Sequence, residues 1–259
     1  MRNYLKISYF LVSFFLCFNL VHAAEKTNLL KTDWSFKGLF GKFDRASLQR
    51  GYQVYTEVCA SCHSMKYLSY RNLMEEGGPE FSESQAKLIA GSFEIKDGPN
   101  ADGEMFTRPG KLSDKFVMPY ENVKAAQAAN GGAYPPDMSV LTKARSGGVD
   151  YIYSVLLGYE DPPTGITLDD GVYYNKYMYG NKIKMPKPLS DGLVEYADGT
   201  ISTEEQMAKD VTTFMMWSAE PHLEARHKMG FKVIIYLIIL TILVYFSMKR
   251  VWSRIEPKV

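Results

Sequence analysis

The most chemically specific pattern in the chain is Cys59-Ala60-Ser61-Cys62-His63. Two thiols at this spacing can each add to a vinyl group of one haem, which attaches the porphyrin covalently. The adjacent imidazole is then held beneath the iron as an axial ligand. Zinc is one competing reading, but it needs two more ligands. A redox dithiol is another; it has no need of His63 and expects a βαβ context that this sequence does not offer.

The rest of the cysteine supply bears on that choice. Residues Met1–Ala24 carry Arg2 and Lys6, an apolar run Ile7–Leu20, and then Val21-His22-Ala23-Ala24. This three-part pattern predicts a secretory signal peptide over 1–23, removed after Ala23, with an uncleaved anchor as the alternative. Cys17 lies in the apolar run and leaves with the signal. The mature chain then has only Cys59 and Cys62, with no third thiol for zinc and none for a structural disulfide, although an oxidising compartment would permit one. The expected cofactor is one covalently attached haem c.

A second apolar stretch, Phe231–Met248, is interrupted only by Lys232. At about 1.5 Å per residue it spans roughly 27 Å, enough for the hydrocarbon layer of a bilayer. Lys249, Arg250, Arg254 and Lys258 follow it and mark a cytoplasmic side, although Arg226, Lys228 and Lys232 on the other flank weaken that signal. The export signal decides the orientation. The expected organisation is an exported haem domain over 24–225, a linker and transmembrane anchor over 226–248, and a cytoplasmic tail over 249–259. This describes a single-pass protein of a bacterial inner membrane with its haem domain in the periplasm. Residues 25–225 hold 21 Lys/Arg against 28 Asp/Glu, whereas the tail from Arg226 is basic. An acidic body argues against nucleic acid and suits a basic protein partner or simple solubility.

The elements that position the motif read as mainly α. Asp44 is a candidate cap, and Leu48, Tyr52, Tyr55 and Val58 follow at helical spacing, so a helix delivers the cysteines at its end and walls the porphyrin. Tyr67 and Tyr70 are expected to extend that wall. Glu25–Lys42 reads as an extended arm packed on the body. Glu75–Pro119, rich in Gly, Pro and acids, reads as loop apart from a short helix near Ser84–Ala90. Short helices are expected over Glu121–Ala129, from an Asp137 or Ser139 cap to Ala144, and from Gly147-Gly148 to Gly158. Tyr173–Tyr179 is expected as a short hairpin and Asp191–Thr200 as a turn with a short strand pair. Ser202 with Glu205 reads as a capping box opening a helix that Glu220-Pro221 ends.

The opposite face of the iron decides the chemistry. An open position favours a peroxidase-like enzyme, and a protein ligand favours electron transfer. His22 leaves with the signal, and His222 and His227 lie beside the apolar span. Met185-Pro186 ranks first among the thioether candidates because proline stiffens a loop that must hold a weak ligand. Met118-Pro119 and Met138, after Pro135-Pro136, are the other candidates.

Several longer stretches carry a resemblance. Arg50-Gly51-Tyr52-Gln53-Val54-Tyr55 leads into CASCHSM, and DGPNADGEMFTRPGKLSD, AANGGAYPPDMS, ARSGGVDY, GYEDPPTG and AKDVTTFMMWSAEP follow before the anchor. Over nearly the whole mature length the chain resembles the cytochrome c1 family, the haem-bearing subunits of ubiquinol–cytochrome c reductase (the bc1 complex). The resemblance implies a helical c-type cytochrome domain with long irregular loops and one C-terminal transmembrane helix. It implies His63 and Met185 as axial ligands and Cys59 and Cys62 as thioether links. It also implies Arg145 beside a propionate, and Asn130, Pro136 and Tyr151 lining the pocket. The implied partners are cytochrome b and a Rieske iron–sulfur protein in the membrane complex, with a soluble c-type cytochrome as acceptor. No quinol site of the chain's own is implied. A stand-alone anchored cytochrome is the remaining alternative. One departure stands out: Met185-Pro186-Lys187-Pro188 places a lysine where relatives often continue with proline, and Lys187 is expected near the exposed haem edge.

Overall fold

The computed structural model describes residues 28–254, so the expected signal peptide with Cys17 and His22, and the last residues of the tail, lie outside the described residues. The fold is mainly helical. Seven α-helices are present among the described residues: α1 Arg45–Glu57, α2 Glu83–Gly91, α3 Val123–Ala129, α4 Leu141–Ala144, α5 Gly148–Leu157, α6 Glu204–Ala219 and α7 Leu223–Trp252. Two small antiparallel ribbons join them, β1 Glu94–Asp97 with β2 Phe106–Pro109 and β3 Tyr173–Tyr174 with β4 Lys182–Ile183.

α1 starts where Asp44 accepts hydrogen bonds from the Ala46 and Ser47 amides, satisfying donors that a helix N-terminus leaves unpaired. Its apolar face (Leu48, Tyr52, Val54 and Tyr55) is buried. That face packs on α6, and the two backbones meet at Gly51, where a Cβ would lie 2.1 Å from the Asp210 carbonyl oxygen. Only glycine permits this approach. Beside it, the fully buried Asp210 carboxylate accepts from Ser47 Oγ (2.7 Å) and Arg50 Nε (2.8 Å). Tyr52, Tyr55, Tyr70, Phe116 and Phe214 complete the core as a ring cluster, with Tyr70 and Phe116 centroids 5.0 Å apart. Of the two tyrosines expected to continue the α1 wall, Tyr70 is buried in this cluster and Tyr67 is exposed.

Residues 75–119 are more structured than their composition predicts. α2 is present, with a capping box of Ser82 and Gln85, but β1 and β2 also form a hairpin in register Glu94↔Pro109 through Asp97↔Phe106. The hairpin lies half in solvent and lacks apolar alternation, so its main signal is missing. Arg108 holds it instead, bridging Asp97 and Asp114. In 191–200 the expected strand pair is replaced by turns, closed by Gly192 N to Ser202 O and Gly199 N to Tyr196 O. The expected hairpin near Tyr173–Tyr179 is wider, since the partner strand begins at Lys182. α6 is capped one residue later than expected, by Thr203, whose Oγ1 accepts from Gln206 N.

α7 runs without interruption through the expected linker and the apolar stretch. Its 30 residues correspond to roughly 45 Å, and its apolar side chains from Phe231 to Met248 are exposed. Its length and composition suffice to cross a membrane. Its start is clamped to α1: Glu224 accepts from Arg45 Nη1 (2.7 Å) and from the Phe43 amide (2.9 Å). Between α6 and α7, Glu220 is paired with Arg226 (2.7 Å) and with Lys143 of α4. Arg226 and Lys143 hold the Glu220 carboxyl at about 2, against an ordinary 4.5. A depressed carboxylate stabilises the fold fully above the unfolded value and loses that contribution as pH falls towards the folded one. Between about pH 4.5 and 2 the thermal midpoint of the native chain should therefore fall more steeply than that of Glu220→Gln. Parallel slopes would remove Glu220 from the acid sensitivity.

Candidate functional site

α1 ends at Glu57, and a 3-10 turn over Cys59–Ser61 carries the motif directly from it. The His63 and Cys62 amides both return to the Cys59 carbonyl, and Ser61 Oγ donates to Val58 O, so the turn is closed on itself. Cys59 and Cys62 form no disulfide, and burial pushes the Cys59 thiol up to about 12, leaving it a neutral S–H.

His63 has a defined tautomer. Its Nδ1 lies 2.8 Å from the Pro136 carbonyl, which can only accept, so Nδ1 carries the proton and Nε2 presents a free lone pair. Burial also pushes the imidazole below its ordinary value and favours this neutral form. A carbonyl that orients a histidine must itself be fixed. Here Asp137, the next residue, does that work: its carboxylate accepts from Ser64 Oγ (2.8 Å), Lys66 N (3.0 Å) and Ser139 N (3.0 Å). Burial opposes its charge, but these hydrogen bonds outweigh it and hold the carboxyl below its ordinary value. Met138 N to Ser64 O (2.8 Å) and Tyr67 N to Ser139 Oγ (3.2 Å) complete the seam. The expectation that Asp137 or Ser139 caps α4 is corrected here. α4 has Val140 at its N-cap and no side-chain cap, because both polar groups bond to residues 64–67 instead.

Met185 lies in irregular chain after β4 and is partly buried, and its carbonyl accepts from Tyr159 Oη (3.0 Å). The preceding Lys184 donates to Gly131 O (2.8 Å). Next to Gly131, Asn130 Nδ2 donates to Tyr120 Oη (3.0 Å), and Tyr120 Oη lies 3.9 Å from Cys62 Sγ. A chain of contacts thus joins the methionine loop to the cysteine turn. Of the other candidates, Met118 is 54% exposed and Met138 is buried in the core beside Ser64.

The pocket residues have the following places. Pro136 orients His63, and Asn130 links Ala126 O to Tyr120. Tyr151, on α5, donates to Met178 Sδ (3.2 Å). Arg145 is exposed after α4, with its charge near the Tyr151 phenol. Lys187 is ion-paired with Glu204 at the start of α6 (2.7 Å). Tyr120, Tyr159, Lys184 and Met178 also take part in these contacts. Nothing in their local sequence distinguishes them, since their roles come from partners tens of residues away.

The donor set is two unpaired thiols, a neutral imidazole with a fixed free nitrogen, and a thioether on a tethered loop. A family model described as the cytochrome C1 family matches residues 34–255. The chain belongs to the cytochrome C1 family. Among its relatives, "Cytochrome c1" of Rhodospirillum rubrum is 44% identical over 245 residues, covering 88% of this chain and 89% of the relative. "Cytochrome c1-2, heme protein, mitochondrial" of Solanum tuberosum is 49% identical, covering 87% and 85%. "Cytochrome b/c1" of Bradyrhizobium diazoefficiens is 53% identical over 85% of this chain, which spans about a third (35%) of that longer relative. Membership implies a haem, and the donor set fits one: the thiols are not consumed by a disulfide and the imidazole tautomer is the ligating one. In this family context the apolar α7 fits a transmembrane helix that anchors the chain to a membrane.

Among the described residues, Tyr159 is the single side chain that holds the Met185 carbonyl, and burial raises its phenol so that it stays a donor. Tyr159→Phe should cost about 1 kcal/mol of stability. It should also speed hydrogen exchange in a peptide spanning 184–189, measured by mass spectrometry. Unchanged exchange would mean that the loop is held by other contacts.

Proposed function

We propose that this chain is the electron-transfer subunit of a membrane-bound quinol–cytochrome c oxidoreductase, carrying one covalently attached haem c. The observation that carries the reading is the His63–Pro136 hydrogen bond, which presents Nε2 for ligation at the end of a C-x-x-C-H turn. When bound, the haem iron supplies a one-electron couple. The protein side chains do the rest. Cys59 and Cys62 would tether the group through thioether links, and His63 Nε2 and the Met185 sulfur would be its iron ligands. Tyr159 and Lys184 hold the Met185 loop against the turn, and Arg145 would lie by a propionate. A His/Met pair favours a high potential, and filling both faces favours electron transfer over peroxide chemistry.

The names of relatives support the assembly: one is called "Cytochrome b/c1" and another, from Candida albicans, "Cytochrome b-c1 complex catalytic subunit, mitochondrial". In our reading the electron arrives from a Rieske iron–sulfur protein, cytochrome b is the membrane neighbour, and a soluble c-type cytochrome takes the electron away. The exposed loop 159–172 carries Glu160, Asp161, Asp169 and Asp170. It begins at Tyr159, whose hydroxyl holds the Met185 carbonyl, so the acidic pair Glu160-Asp161 follows directly on a residue in contact with the proposed ligand loop. Such a surface suits a basic acceptor. The haem domain, 24–225, then stands on the periplasmic side of an inner membrane after removal of 1–23, with the tail after 248 in the cytoplasm.

The test is a reduced-minus-oxidised spectrum with a pyridine haem assay on the native chain and on Met185→Ala. The native chain should give one haem c per chain with low-spin iron, co-purifying with a b-type cytochrome and a Rieske protein. Met185→Ala should lose the sulfur-to-iron absorption band and fall in potential. An unchanged band would reject Met185 as ligand, and high-spin iron in the native chain would reject the electron-transfer reading. Electron transfer to the acceptor should slow as ionic strength rises, and a salt-independent rate would remove the acidic loop from docking.

A further inference from the structure

Two of the most exposed large apolar side chains outside α7 are neighbours, Leu39 (77%) and Phe40 (79%). They are not a loose segment. The turn that carries them is closed by backbone hydrogen bonds from Lys37 N to Trp34 O, Gly41 N to Gly38 O and Lys42 N to Ser35 O. Gly38 has φ +89°, and a Cβ on Gly41 would fall 2.3 Å from the Phe36 carbonyl, so both glycines are needed for so tight a turn. Its base is an aromatic stack: Trp34, Phe36 and Phe43 are buried, with ring centroids 5.5 and 5.1 Å apart. Trp34 is fixed further by its Nε1–H donating to Asp150. The fold therefore builds a stiff turn that buries Trp34, Phe36 and Phe43 and leaves Leu39 and Phe40 outside. A residue pair left to water would not need such support, since scattered exposed apolar groups are ordinary but rigidly displayed adjacent ones mark a contact.

What covers them is indicated by their neighbour. The Phe40 ring packs edge-on against Phe231, with centroids 6.3 Å apart, and Phe231 is the first residue of the apolar stretch of α7. Met229 and Phe231 are themselves exposed, so Leu39 and Phe40 continue the apolar surface of the transmembrane helix at its upper end. Lys42, exposed, and Lys37, whose ammonium is paired with Asp150 (3.1 Å), flank the pair, and Lys232 follows Phe231. Apolar tips ringed by lysines are the composition of a segment lying at the headgroup–acyl boundary.

We propose that the 37–42 turn is a second membrane contact, which inserts Leu39 and Phe40 into the lipid interface beside α7. The proposal rests on α7 spanning the bilayer, and its occupant is lipid rather than another polypeptide. The contact gives the exported domain two points of attachment, a spanning helix and an interfacial wedge, so that the domain cannot swivel freely about α7.

The test is site-directed spin labelling of the full chain, haem-loaded and with the subunits that co-purify, in vesicles of zwitterionic and anionic phospholipid. Phe40→Cys is labelled, with Leu240→Cys as the reference for the span and the unsubstituted chain as the control for native thiols. Collision with lipid-soluble oxygen is compared with collision with a water-soluble nickel chelate. The proposal expects the Phe40 label to favour oxygen several-fold, as the Leu240 label does. A Phe40 label that favours the nickel chelate while Leu240 favours oxygen overturns the wedge and leaves the span intact. A Phe40 label shielded from both reagents means that a protein covers the turn, and also overturns it. If Leu240 too favours the nickel chelate, the span fails and the wedge with it.

Discussion

The rest of the molecule depends on the contact of α1 with α6 at Gly51. Two helices normally keep their axes 8–10 Å apart because side chains intervene. Here the absence of a Cβ lets the α1 backbone rest on the Asp210 carbonyl. Close approach alone would leave the helices free to slide. The buried Asp210 carboxylate removes that freedom, since it is bonded to Ser47 and Arg50 on α1 and to Gln206 on its own helix. A buried ion pair is a weak source of net stability, but it is a strong constraint on register, because any shift leaves a charge unpaired. The cysteine turn begins two residues after the end of α1, so the register of this helix pair sets where the motif lies.

The two proposed ligand arms depend on that framework in different ways. The histidine arm is short-range and dense: Pro136, Asp137, Met138 and Ser139 are knitted to residues 63–67 by five hydrogen bonds. The methionine arm is sparse, with one phenol on its carbonyl and one lysine reaching Gly131. The difference matches the chemistry of the donors. An imidazole ligates well only in one tautomer and orientation, whereas a thioether has no proton to place and needs only to be kept near.

The parts of this design that could be read in the sequence were those encoded by local rules. The Asp44 cap, the apolar face of α1, the breaks at Gly147-Gly148 and Glu220-Pro221 and the apolar stretch of α7 all follow from period and capping chemistry. The motif itself was legible because covalent attachment demands an unusual residue spacing. What could not be read was set by distant partners. Asp137 looked like a helix cap because its sequence neighbours fit one, yet its carboxylate is taken by Ser64 and Lys66, more than seventy residues away. The β1–β2 hairpin was hidden because Arg108 and two aspartates hold it, not an alternating apolar face. The pairing of Lys187 with Glu204 likewise depends on how the methionine loop returns to α6.

The clamp of Arg45 and the Phe43 amide on Glu224 has a mechanical consequence. It joins the first residue of the helix that ends in the cysteines to the first turn of the helix that enters the membrane. The two helices thereby share one footing, and the height of the motif above the bilayer becomes a fixed length rather than the reach of a tether. On the function proposed above, a haem mounted in this way cannot travel between partners, and any movement between them falls to the partners themselves.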